Sequence, residues 1–120
     1  MRDHNKLKAF VMVDELAIMI YRITINFPKE EIYGLTSQMR RAAISVPSNI
    51  VEGCARESQN EYLRFLEIAF GPLRELYYQF GLAYRLNIVK EVKDIEVINS
   101  KFDETEKVLG SLIRALRRSP

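Results

Sequence analysis

Few of the residue types that build catalytic and metal sites occur in this chain. It has one cysteine, Cys54, one histidine, His4, and no tryptophan. A single cysteine cannot form an internal disulfide, and zinc sites need clustered cysteine and histidine ligands. Bundles that hold two iron ions use inward-facing Glu-x-x-His pairs, whereas His4 precedes the first helical pattern. We therefore expect no metal, no cofactor and no catalytic residues, and we expect the Cys54 thiol to be buried.

The chain also lacks a long apolar run. No stretch approaches the roughly 18 residues that would span a membrane, and the first residues lack the apolar core of a signal peptide. The formal charge is only +2, so any contact with nucleic acid must come from local clusters of basic side chains. A length of 120 residues and near-average composition predict a single domain, residues 1–120, in the cytoplasm.

Apolar residues recur at helical spacing in four segments, and no segment shows the alternation of a strand. Pro28 ends the first segment, and Gly53 is the predicted end of the second. Ser58 and Glu61 form a capping box at the start of the third. The predicted helices cover residues 7–26, 35–53, 58–87 and 95–116. Because the connections are short, successive helices should be antiparallel, which predicts an all-α, up-down-up-down four-helix bundle.

The second predicted helix contains a proline and an asparagine where neither is favoured. Pro47 costs a helix interior roughly 3 kcal/mol, and the Asn49 side chain competes for backbone hydrogen bonds. One hypothesis is a kinked helix whose freed backbone groups are bound by Ser45, Ser48 or Asn49. The other is a surface for RNA or a partner. A polar stripe beside the core supports either, and it consists of Arg41, Ser45, Ser48 and Glu52.

Two helices carry more apolar surface than a four-helix monomer needs. The first is apolar almost all round between Ala9 and Ile25, although one stripe about 100° wide is enough. On the third, Phe70, Tyr77 and Tyr84 recur every seven residues beside the main stripe. These aromatic residues either widen the core or form an interface with a second copy. We expect an oligomer, with the three aromatic residues as its candidate interface.

The second helix also carries a recognisable motif. It resembles the signature of the four-helix-bundle proteins encoded in intervening sequences of bacterial 23S rRNA genes, also labelled the ribosomal protein S23 family. The residues of the motif are Gln38-Met39-Arg40-Arg41-Ala42 and Ser45-Val46-Pro47-Ser48-Asn49-Ile50-Val51-Glu52-Gly53. Further matches fall at residues 27–28, 33–36, 61–66 and 69–76, so the resemblance covers nearly the whole chain. Pro72 departs from the family pattern, which has serine there, and this puts a smooth third helix in doubt.

The resemblance implies a bundle that assembles as a ring-like homopentamer, with a connection to RNA and no catalytic residue. Distantly related bundles assist reverse transcriptases, where they bind nucleic acid and the polymerase. Two functions therefore stay open. One is an oligomeric RNA-binding protein, and the other is a protein-interaction scaffold or accessory factor without direct RNA contact. Because the planar fork of arginine suits phosphate, the candidate RNA contacts are Arg40, Arg41, Arg56 and Arg64.

Overall fold

The computed structural model describes residues 2–119, and four α-helices make up most of this span. They are α1 (Lys8–Thr24), α2 (Leu35–Cys54), α3 (Gln59–Arg85) and α4 (Val92–Arg118). Short 3-10 turns precede α1 and α2, and no strand occurs within residues 2–119. Each helix packs on its neighbours in the chain, and α4 also packs on α1. The predicted up-down-up-down four-helix bundle is confirmed.

The core is one cluster of apolar side chains drawn from all four helices. Leu16 of α1, Phe80 of α3, and Phe102 and Leu109 of α4 are at most 1% exposed. Full burial of one such side chain contributes roughly 1.5–3 kcal/mol to folding. Thr105 lies in the same layer and is fully buried, and its hydroxyl donates to the Lys101 carbonyl oxygen at 2.6 Å. The polar atom in this stripe is therefore satisfied within its own helix.

The helix ends follow local hydrogen bonds. The Ser58 hydroxyl accepts from the backbone N–H of Glu61 at 3.1 Å, as the capping box predicts. Helix α3 ends at Arg85, and Asn87 follows with a φ of 61°. The Ile88 amide then donates to the Ala83 carbonyl oxygen at 2.9 Å. Asparagine thus takes the left-handed position that glycine often fills after a helix.

Proline and glycine positions in the helices differ from what their propensities suggest. Helix α3 runs unbroken through Pro72, and α2 runs unbroken through Pro47. Helix α2 ends at Cys54, one residue after the predicted end, and Gly53 is helical and not the left-handed cap that the sequence predicts there. No glycine within residues 2–119 has a positive φ. A Cβ atom at Gly53 would lie 2.7 Å from the Cβ atom of Phe65, so this glycine lets α2 approach α3 closely.

Candidate nucleic-acid and subunit interfaces

Arg40 lies on the side of α2 that faces α1. Its Nε donates to the Thr24 hydroxyl at 2.8 Å, and its Nη2 donates to the Tyr21 carbonyl oxygen at 3.4 Å. The guanidinium carbon is 4.8 Å from the centre of the Tyr21 ring. Carbonyl groups in the last turn of a helix lack partners and carry the negative end of the helix dipole. Arg40 therefore stabilises the carboxyl end of α1.

Arg41 lies on the other side of α2 and faces α3. Its Nη2 is 2.5 Å from Glu75 Oε2, and its Nε donates to Gln38 Oε1 at 3.1 Å. Both members of the ion pair are about half exposed, so the pair contributes less than about 1 kcal/mol. Arg40 and Arg41 are adjacent in the sequence but contact opposite neighbouring helices. The structure does not bring them together into one basic patch.

The other two candidate arginines differ in how far they are engaged. Arg56 follows α2, and its Nη2 donates to Glu52 Oε1 at 2.9 Å. Its guanidinium carbon also lies 4.8 Å from the centre of the Phe65 ring. Arg64 on α3 is exposed and makes no side-chain hydrogen bond or ion pair with another residue of the span 2–119. Of the four candidates, Arg64 has the guanidinium most accessible to a phosphate.

Further arginines lie at the same end of the bundle as Arg64. The ion pair between Arg117 and Glu67, with nitrogen-to-oxygen distances of 2.9 and 2.5 Å, joins the end of α4 to the start of α3. Arg114 donates to the Ser111 hydroxyl at 3.2 Å and is exposed. Arg117 and Arg118 lie in the last turn of α4, where basic side chains complement the negative end of the helix dipole. We call one group the basic end, namely Arg64, Arg114, Arg117 and Arg118.

A groove runs between α3 and α4 beside the basic end, with a volume of about 380 Å³. Phe70 and Ile113 form its floor, Gly71 and Gly110 contribute bare backbone from the two helices, and Arg114 lies at its rim. The groove continues towards the middle of α4 as a second depression that shares Phe70, Gly110 and Arg114. Sequence reasoning missed this groove, because it depends on glycines from two separate helices meeting at the same level.

The polar residues beside Pro47 make contacts within α2 itself. Asn49 is half-buried, and its Nδ2 donates to the Ser45 carbonyl oxygen at 2.8 Å and to the Ser45 hydroxyl at 3.3 Å. These two bonds lie in the turn that contains Pro47. Pro47 removes the backbone donor to the Ala43 carbonyl, whereas Asn49 binds the Ser45 carbonyl, so these bonds do not involve the group that the proline frees. Ser48 is exposed, so it remains available to a partner.

The three aromatic residues of α3 differ in free surface. Phe70 is half-buried. Tyr77 stacks on Phe102 with ring centres 4.5 Å apart, and its hydroxyl donates to Asp103 Oδ1 at 2.8 Å. Burial raises the pKa of Tyr77, and the hydrogen bond to the Asp103 carboxylate raises it further. Tyr84 is 50% exposed, so it offers the most surface to a second copy.

The outward face of α1, opposite the core, is apolar. Val11, Ile18 and Ile25 recur every seven residues along it and are 42%, 45% and 73% exposed. On α2, Ile44 and Val51 have the same spacing and are also exposed. The contact between Arg40 and Thr24 sets the antiparallel register, which places these α2 residues beside α1. We call the five exposed residues the apolar ridge, namely Val11, Ile18, Ile25, Ile44 and Val51.

The residues with reactive or metal-binding chemistry are dispersed. Cys54 is 2% exposed, and burial raises the pKa of its thiol, which the nearby Arg2 guanidinium opposes more weakly. His4 contacts the edge of Phe10, with ring centres 4.7 Å apart. Within residues 2–119, no three side chains of histidine, cysteine, aspartate or glutamate are grouped to hold a metal ion. None of the helices in this span is long and apolar enough to cross a membrane.

Comparison with known proteins gives one family. The sequence matches the model of the 23S rRNA-intervening sequence protein family over residues 5–111. The fold is similar to the crystal structure of a protein with unknown function from the S23 ribosomal protein family of Bacteroides thetaiotaomicron VPI-5482. The TM-score is 0.76 at 25% identity, over 88% of this chain and 97% of that chain. No match is found among curated proteins. The chain therefore belongs to the 23S rRNA-intervening sequence protein family.

Proposed function

We propose that the protein is a self-associating, non-enzymatic bundle that binds RNA through its basic end in the cytoplasm. The basic end carries this proposal, because Arg64, Arg114 and Arg118 are exposed and have no acidic partner within residues 2–119. Contacts to phosphate supply most of the sequence-independent affinity for nucleic acid. The connection of the family to 23S rRNA favours RNA over other polyanions.

The four arginines predicted as RNA contacts differ in their proposed roles. Arg64 belongs to the basic end and is the principal contact. Arg40, Arg41 and Arg56 would each have to leave an existing partner before binding a phosphate. An arginine that leaves its hydrogen bonds or its aromatic ring loses interaction free energy. This loss offsets part of the free energy that the phosphate contact contributes. These three arginines therefore serve mainly to hold the helices in register.

A titration with a structured fragment of 23S rRNA at several salt concentrations tests RNA binding. The logarithm of the binding constant should fall linearly with the logarithm of salt concentration, by about 0.7–0.9 for each phosphate contact. Replacing Arg64 and Arg118 together by alanine should weaken binding and reduce this slope by about 1–2. Replacing Lys90 and Lys93 together by alanine, at the opposite end of the bundle, removes the same charge and is the matched control, which should leave binding unchanged. No binding at low salt would contradict the proposal.

A protein-interaction scaffold is the second candidate, and the apolar ridge favours it. Exposed apolar surface of this extent on two adjacent helices is typical of an interface between proteins. The homopentamer that the family resemblance implies needs a heterologous contact, in which one surface meets a different surface of the next copy. We propose the apolar ridge as one surface and Tyr78 and Tyr84 of α3 as part of the other, since they are 61% and 50% exposed. Another protein, such as a reverse transcriptase, would compete for the same surfaces.

A further inference from the structure

We propose that the groove between α3 and α4 binds an unpaired RNA base, stacked on Phe70, while Arg114 and Arg118 contact the adjoining phosphates. The inference rests on the RNA binding proposed above and specifies its form. The ligand is single-stranded RNA, because a base that is paired and stacked within a duplex cannot enter a groove between two helices.

The glycines of the groove are the first observation in favour. Glycine inside a helix lowers its stability relative to alanine. At Gly71 no heavy atom lies within 4 Å of the position that a Cβ atom would take, so packing inside the protein does not require glycine there. At Gly110 the Cβ atom would lie 3.2 Å from Arg114 Nη1 and 3.8 Å from Phe70 Cε2. Gly71 therefore leaves room for a molecule to approach the backbone beside the Phe70 ring, whereas the space over Gly110 is filled by the Arg114 guanidinium.

The chemistry of the floor and the rim is the second observation. An aromatic ring stacks with any base, and arginine supplies both charge and a planar surface. Arg114 is bound only to the Ser111 hydroxyl within residues 2–119, so it can turn towards a phosphate at little cost. Arg117 and Glu67 both line the groove and form an ion pair with each other, so together they add no net charge to it. The apolar ridge of a second copy would cover Arg114 without pairing it, which disfavours that occupant.

The aromatic floor is tested with Phe70→Leu, which keeps the groove apolar but removes the stacking surface. The probe is a fluorescein-labelled adenine homopolymer of about a dozen nucleotides, compared with an RNA hairpin of similar length whose loop is a non-nucleotide linker, so that it presents no unpaired base. Binding of the single strand should weaken by about 5- to 150-fold, and binding of the hairpin should change little. Phe27→Leu removes a half-buried ring far from the basic end and is the control. Equal losses for the strand and the hairpin, or for the two variants, would overturn the proposal.

The open approach to the groove is tested with Gly71→Leu and its matched control Gly81→Leu. Both glycines lie in α3, and neither has a heavy atom within 4 Å of its Cβ position. Circular dichroism first checks that both leucine variants keep the fold. Gly71→Leu should weaken binding of the single strand at least about tenfold, by blocking the base, whereas Gly81→Leu should not.

If Gly71→Leu changes the mass of the assembly but leaves RNA binding intact, the groove belongs to a second copy and the inference fails. If wild-type protein binds the hairpin but not the strand, the groove assignment fails while RNA binding at the basic end stands; if neither RNA binds, both fail.

Discussion

Gly53 of α2 lies so close to Phe65 of α3 that a Cβ atom at position 53 would be 2.7 Å from the Phe65 Cβ atom. The same atom would lie 3.3 Å from the carbonyl oxygen of Tyr62, which is backbone and cannot rotate away. The distance between α2 and α3 at this level is therefore set by the absence of a side chain. Packed interiors yield little to added atoms, so the glycine of the family motif determines how these two helices meet.

Gly53→Ala should lower the free energy of unfolding by about 1–3 kcal/mol, because the added methyl group forces α2 and α3 apart. This loss appears despite the higher helix propensity of alanine, which is worth about 1 kcal/mol. Urea denaturation followed by circular dichroism measures the change. Gly81→Ala is the control, since its Cβ position is open, and it should raise stability by up to about 1 kcal/mol. A Gly53→Ala midpoint at or above the wild-type value would show that the contact is not tight.

Arg40→Ala and Arg64→Ala should have opposite phenotypes. Arg40 holds the Thr24 hydroxyl and the Tyr21 carbonyl, so its loss should destabilise the bundle by about 1 kcal/mol with little effect on RNA affinity. Arg64 is exposed on the basic end, so its loss should leave stability unchanged and weaken RNA binding. Denaturation and RNA titration of both variants make the comparison. Weaker RNA binding by Arg40→Ala, at unchanged stability, would return Arg40 to the binding site.

Much of the fold could be predicted because the sequence repeats one pattern. The stripe through Ile98, Phe102 and Leu109 has the period of a helix and is buried along its length. Short connections then leave few ways to arrange four such helices. The same spacing places Gly53 with Val46 and Ile50 on the buried face of α2. Its contact with Phe65 could not be predicted, because the facing residue depends on how α2 and α3 pair.

The candidate site was harder to predict than the fold. Arg40 and Arg41 are neighbours in the sequence, yet one contacts α1 and the other contacts α3. Successive residues on a helix point about 100° apart, so two adjacent residues can contact two different neighbouring helices. In the groove, residues that are far apart in the sequence come together instead. Phe70 and Gly110 meet only because α3 and α4 pair in antiparallel register. Register depends on the packing of the whole bundle, which a helical pattern alone does not contain.

We expect the wild-type protein to have the mass of an oligomer, and the double variant Ile18→Lys/Ile25→Lys to have a mass near that of the monomer, 14.0 kDa. Both side chains lie on the apolar ridge, and a charge placed in an apolar interface loses its hydration without gaining a partner. Because both positions are exposed in the monomer, its fold should be retained. Light scattering coupled to size exclusion measures the mass. Val97→Lys is the control, because Val97 is 48% exposed on α4, a helix that contributes no residue to the ridge. A wild-type protein of monomer mass at micromolar concentration would remove the ridge as a self-interface.

The hydroxyl of Tyr77 should make the stability of the bundle depend on pH in the alkaline range. Burial and the Asp103 carboxylate raise the pKa of Tyr77 in the folded protein above its usual value of about 10. A raised folded-state pKa contributes stability that is complete below about pH 10 and is lost as the pH rises through the folded-state pKa. Tyr77→Phe keeps the ring stacked on Phe102 but removes the titrating group, so its stability should fall less steeply than that of the wild type. Urea midpoints between about pH 9 and pH 11 measure the slope. Tyr33→Phe, at a position that is 96% exposed, corrects for the loss of one phenol, and equal slopes for Tyr77→Phe and wild type would contradict the coupling between α3 and α4.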